Sequence, residues 1–183
     1  MKKLKVFALL LVTVLLLTGC GTQQNSSKVE EKEKSKGNCK VVDCIKKLDI
    51  KDDLEKVNKV IGFEGKLTLE GDTYKVYEWA LNDNDTVKVS FYSSSTTISI
   101  SFKDELIKNS KTDFSKYDEI KTAMKAGQTV TYDDVKKKFG TEGTLIEKSS
   151  FSNKYRWVND KGGYLDATFG LTSGKCTMII GRI

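Results

Sequence analysis

The sequence predicts an α+β protein of two tandem repeats, each a helix-loop-helix packed on a four-stranded antiparallel sheet. Three observations carry that prediction. Residues 52–102 lie on 130–180 without a gap at an offset of 78, with ten of 51 positions identical. Within each copy the apolar period switches from 3.6 to 2. Clusters of Gly, Asp, Asn and Ser punctuate the period-2 segments.

The residue types, more than their number, make the offset persuasive. The chain has two tryptophans, and Trp79 falls on Trp157. Val57 meets Val135, Lys59 meets Lys137, Gly62 meets Gly140, Glu64 meets Glu142 and Gly65 meets Gly143. Leu67, Tyr77, Phe91 and Ser95 meet Leu145, Tyr155, Phe169 and Ser173. A period near 78 is longer than that of a solenoid, so it marks two copies of a small domain.

The elements follow in order. In the first copy Val41, Cys44, Ile45 and Leu48 share a helical face. Asp52 with Glu55 is expected to start a second helix, which turns Leu54, Val57 and Ile61 inward and stops at Gly62. In the second copy a helix is expected near Asp113–Ala126 on Tyr117, Ile120 and Met124. Another follows, capped by Thr131 with Asp134, facing Val135 and Phe139 inward and ending at Gly140.

The strands alternate after each helix pair. In copy one they are Leu67/Leu69, Tyr77/Trp79/Leu81, Val87/Val89/Phe91 and Ile98/Ile100/Phe102. In copy two they are Leu145, Tyr155/Trp157, Leu165/Ala167/Phe169 and Cys176/Met178/Ile180. These apolar sets are expected to pack on the helices, leaving one wetted face. Tyr74, Val76, Glu78, Lys88, Ser90, Tyr92, Thr97, Ser99 and Ser101 occupy that face in copy one. In copy two it holds Ser152, Lys154, Arg156, Val158, Asp166, Thr168, Lys175, Thr177 and Ile179. Tyr74, Glu78, Lys88, Ser90, Tyr92, Lys154, Arg156 and Asp166 are the candidate binding residues. Trp79 and Trp157 are expected in the core rather than as binding anchors.

The N-terminus has a separate logic. Lys2, Lys3 and Lys5 precede an apolar run from Val6 to Leu17, interrupted by Thr13, and Leu17-Thr18-Gly19-Cys20 closes it. The run is shorter than the ~20 residues that span a bilayer. It resembles the signal peptide and lipobox of a bacterial lipoprotein. That resemblance implies cleavage after residue 19 and acylation of Cys20, palmitate included. It places the protein on the extracytoplasmic face of a Gram-positive-like cell membrane. Two or more chains at ~0.8 kcal/mol per buried CH₂ hold firmly. The organisation expected is 1–19 signal peptide, 20–38 lipidated cysteine and disordered tether, 39–104 repeat 1 and 105–183 repeat 2. The tether has Val29 as its one apolar residue beyond Cys20 and a coil span of about 24 Å.

Composition excludes several functions. The chain has no histidine, which removes Ser/His and Cys/His catalysis and His-ligated metal sites. The net charge is +6, but three of the lysines lie in residues 1–19, and the remainder has no concentrated basic patch of the kind nucleic acid requires. Lys136-Lys137-Lys138 reads as a solvated helix face, with anionic lipid headgroups as the alternative. Asp83-Asn84-Asp85 fits a hairpin turn on turn chemistry alone. Thus no catalytic residue, metal or cofactor is expected. Cys39 and Cys44 are placed to bridge only if Cys39 precedes the helix, since on one helix their Cα atoms lie ~8–9 Å apart. Cys176 reads as a small buried thiol.

The pattern Gly62-Phe63-Glu64-Gly65-Lys66-Leu67, Tyr77-Glu78-Trp79, Phe91 recurs as Gly140-Thr141-Glu142-Gly143-Thr144-Leu145, Tyr155-Arg156-Trp157, Phe169. Over 39–183 it resembles the β-lactamase inhibitory protein fold, and single copies are similar to small protein A-type lipoproteins. The resemblance implies a protein-binding module with a shallow concave sheet surface. The partner expected is an envelope or extracellular protein, with the membrane engaged through the lipid anchor. A small-molecule or glycan carrier using Lys88, Ser90 and Tyr92 is the alternative, as is a β-lactamase inhibitor-like or superinfection-exclusion lipoprotein.

Overall fold

The computed structural model describes residues 37–102 and 112–182. The expected signal peptide, Cys20, the expected tether through residue 36 and the boundary between the repeats lie outside the described residues. Helices α1 (Val41–Lys47) and α2 (Leu54–Ile61) precede strands β1 (Lys66–Gly71), β2 (Tyr74–Ala80), β3 (Thr86–Tyr92) and β4 (Thr96–Ser101). A 3₁₀ turn, Phe114–Lys116, leads into α3 (Tyr117–Lys125) and α4 (Tyr132–Phe139). Strands β5 (Thr144–Ser149), β6 (Ser152–Val158), β7 (Tyr164–Gly170) and β8 (Cys176–Arg182) follow. Helix pair then four antiparallel strands, twice, is the tandem α+β architecture expected.

The offset of 78 reaches the element boundaries. α2 maps onto α4, β1 onto β5, β2 onto β6 and β3 onto β7, residue for residue. The caps explain the shared helix ends. Thr131 and Asp134 exchange hydrogen bonds in a reciprocal capping box. In copy one the cap is Asp53, whose carboxylate accepts from the Lys56 amide at 2.8 Å; the expected Asp52 instead accepts from the Asp49 amide. The cap is one residue later because Asp52 serves the turn after α1. Gly62 and Gly140 end their helices at φ 101° and 72°, a backbone that side-chain-bearing residues resist.

The two four-stranded sheets join. Strand β4 pairs antiparallel with β5 through Thr97↔Ser149, Ile98↔Lys148 and Ser99↔Glu147, so the strands form one eight-stranded sheet in chain order. α1 packs across this seam, and Ile146 of β5 belongs to the first core with Val41, Ile45, Trp79 and Ile98. Lys148 reaches back from β5 to donate to the Leu48 carbonyl at the end of α1. Burial holds its pKa below the usual lysine value, while Asp49 and Asp52 pull it upward. The second core gathers Phe114, Ile120, Val135, Phe139, Trp157, Leu165 and Phe169.

Both tryptophans are core residues, 0% and 1% exposed. Each buried indole N–H is satisfied at an equivalent place. Trp79 donates to the Phe63 carbonyl at 3.1 Å, and Trp157 donates to the Thr141 carbonyl at 3.0 Å. Trp79 also donates to Asn58 Oδ1, which accepts the Gly65 amide as well. The bridge between Cys39 and Cys44 is formed, with Cα atoms 5.5 Å apart, because α1 begins after Cys39. Cys176 is buried, and desolvation pushes its thiol up to about 11. Asn38, expected at the end of a disordered tether, is docked, its amide donating to the Ile61 carbonyl at 2.7 Å.

Three bulges alter the predicted strand faces. Leu67 pairs with Tyr77 but Leu69 pairs with Val76, so Thr68 is an extra residue and Leu69 turns to the open face, 54% exposed. Leu67 stays on the helix side but is 41% exposed on the edge strand. The same bulge recurs at Ile146, between Leu145↔Tyr155 and Glu147↔Lys154. A third lies at Thr177: Phe169 pairs with Cys176, yet Thr168 pairs with Met178. Met178 and Ile180 therefore face outward at 43% and 51% exposure, whereas Ile179, expected outside, packs against the second core.

Candidate functional site

Directly paired residues in an antiparallel ladder share a face. All eight candidate residues fall on the face opposite the helices, and the register joins them into clusters. Tyr74↔Tyr92, Glu78↔Lys88 and Arg156↔Asp166 are each direct cross-strand pairs. The Tyr74 and Tyr92 rings lie 5.9 Å apart at the outer corner of β2 and β3. Lys88 Nζ sits 3.4 Å from Glu78. Ser90 lies between Val76 and Thr97.

The second half of the face is more tightly built. Lys154 Nζ is 3.0 Å from Glu147, a residue that the uninterrupted alternation had not assigned to this face. Its outward position follows from the bulge at Ile146. Arg156 grips Asp166 through Nε at 2.7 Å and a second nitrogen at 2.8 Å. The guanidinium also lies 4.7 Å from the Tyr164 ring centroid. Such a bidentate, stacked arginine is among the more rigid polar groups a surface offers. Beside it stand Met178 and Ile180, opposite Thr168 and Asp166. Thus acidic and basic groups alternate across the middle strands, and apolar or aromatic groups stand at both ends.

The sequence missed Glu147, Tyr164, Leu69, Met178 and Ile180. In the run Cys176-Thr177-Met178-Ile179-Ile180, either phase presents apolar residues, so only the Thr177 bulge selects one. For Glu147 the available signal was charge, since an acidic residue complements Lys154, which was already on the open face.

The Lys136-Lys137-Lys138 run is not a free cationic patch. Lys136 pairs with Glu142 at 2.5 Å and Lys138 with Glu119 at 2.9 Å, and Lys116 also holds Glu119 at 2.6 Å. The Lys116 and Lys138 hydrogen bonds hold the Glu119 carboxyl down at about 2.

A cleft of about 530 Å³ opens on the helix side, where the repeats meet. Val42 and Lys46 of α1 form one wall, and Tyr132, Leu145 and Tyr155 form the other, with Phe102 at the end of β4. It is not the pocket expected around Lys88, Ser90 and Tyr92. Among the described residues no helix is long and apolar enough to cross a membrane, and no group of three or more Cys, Asp or Glu is arranged for a metal ion.

No protein-family model, no curated protein and no solved structure matches this chain.

Proposed function

We propose that this protein is a non-enzymatic lipoprotein of the extracytoplasmic membrane face that captures a protein partner on the open face of its eight-stranded sheet. The observation that carries the reading is that face: a continuous surface, opposite the helices, with Glu78–Lys88, Glu147–Lys154 and Arg156–Asp166 held in cross-strand pairs. Seven strand spacings of about 4.8 Å and strands about 20 Å long give roughly 680 Å². A standard interface takes about 800 Å² per partner. Paired charges lose little side-chain freedom on association, and the flanking tyrosines supply the rigid amphipathic contact that interfaces favour. The lipobox-like N-terminus supports the address, and the likeness to the β-lactamase inhibitory fold supports a grip by the sheet.

The test places a photo-reactive benzoylphenylalanine at Tyr92 or Met178 in the lipidated protein on cell membranes, with Lys121 on α3 as comparison. One discrete adduct, common to both sheet positions and absent at 121, is expected. Adducts equal at all three positions, or none from the sheet, overturn the reading.

A further inference from the structure

We infer that the cleft between the repeats is a second binding site, for a flat apolar molecule carrying one negative charge. It lies on the helix side and stands independently of the protein-capture reading. Its walls come from both repeats, because pairing of β4 with β5 brings α1 over β5. The aromatic content is specific to repeat 2. At the position of Leu54 in copy one stands Tyr132, whose ring lies 4.6 Å from Tyr155 and 5.8 Å from Trp157. These rings form an apolar floor suited to stacking.

Two donors line the cleft. Lys46 is exposed and makes no ion pair or hydrogen bond among the described residues. Its influence on Glu142 is a longer-range attraction, and that carboxylate is already held by Lys136. With Glu142 held by Lys136, Lys46 is the charge of the lining left to meet an anion. The second donor is the Tyr132 phenol. Burial raises its pKa above the ordinary tyrosine value, so the phenol keeps its hydrogen at neutral pH. That hydrogen has no acceptor among the described residues. In copy one Asn58 occupies the position of Lys136 and takes the Gly65 amide. Where copy one has the apolar Leu54 and the internally bonded Asn58, copy two has Tyr132, which lines the cleft, and Lys136, which holds Glu142. A carboxylate or sulfonate on an aromatic body matches both parts.

The probe is 1-anilinonaphthalene-8-sulfonate, with neutral N-phenyl-1-naphthylamine for comparison, titrated against the whole chain. One equivalent of the anion is expected to bind and shift the Gly143 amide resonance. Lys46→Gln is expected to weaken the anion about tenfold while leaving the neutral probe unchanged. Tyr132→Phe, which keeps the ring, is expected to weaken the anion several-fold. Lys121→Gln on the outer face of α3 should change neither. Anion binding that ignores Lys46→Gln, an unmoved Gly143 resonance, or equal affinity for both probes overturns the inference.

Discussion

Gly143 lies flat against the indole of Trp157, so that a Cβ there would come 2.7 Å from the ring. Gly65 stands in the same relation to Trp79, at 2.4 Å. The recurring Gly-x-x-Gly followed by Trp is thus one packing device used twice: the first glycine ends the helix, and the second clears space for the indole. Gly143→Ala should cost about 1–3 kcal/mol by overpacking. Trp157→Ala should cost about 3–5 kcal/mol through the cavity it leaves. Urea unfolding monitored by circular dichroism measures both, and near-native midpoints for either variant would contradict the packing described.

The bridge between Cys39 and Cys44 closes a short loop just before α1. Its chain-entropy contribution is about 2 kcal/mol, modest because the loop is small. Unfolding of the Cys39→Ser/Cys44→Ser double variant against the oxidised protein measures it. Cys176 should not confuse that comparison, because its buried thiol, pushed up to about 11, reacts slowly with iodoacetamide until the protein unfolds.

The pairs on the open face differ in weight. Arg156 and Asp166 have side chains 25% and 11% exposed, whereas Lys88 and Glu78 are 49% and 36% exposed. Asp166→Ala removes a bidentate acceptor and should cost about 1–3 kcal/mol. Lys88→Ala should cost under about 1 kcal/mol, because water screens its pair. Thermal unfolding of both variants ranks them; equal losses would deny the Arg156 cluster its rigidity.

Acid should strip a defined contribution from the α3–α4 face. Glu119 is held at about 2 in the folded state against an ordinary 4.5. A depressed carboxyl stabilises the fold fully above the unfolded value, and that contribution disappears as pH falls from about 4.5 through about 2. The stability gap between the native protein and Glu119→Gln should therefore close over that window. High salt should narrow the gap at pH 7, since the groups are exposed. A gap constant down to pH 2 would show that Lys116 and Lys138 do not hold the carboxylate.

Local chemistry carried most of the architecture. Helix faces, the Thr131–Asp134 cap, the glycine stops and strand order were readable because each depends on neighbours within about four residues. The offset of 78 even carried boundaries from one copy to the other. The open-face candidates were readable for the same reason, since alternation places Tyr74, Glu78 and Lys88 or Arg156 and Asp166 together without knowledge of distant contacts.

Tertiary structure decided what a period cannot encode. One inserted residue at Thr68, Ile146 or Thr177 reverses every later side chain in that strand, so Leu69, Glu147, Met178 and Ile180 changed faces. Pairing of Ile98 with Lys148 joins residues 50 apart, and it fuses the repeats into one sheet and opens the inter-repeat cleft. Local periodicity and the offset of 78 specify two copies of a helix-sheet module. How they are joined, and which groups they therefore present together, depended on backbone hydrogen bonds between distant strands, which leave no periodic trace in the chain.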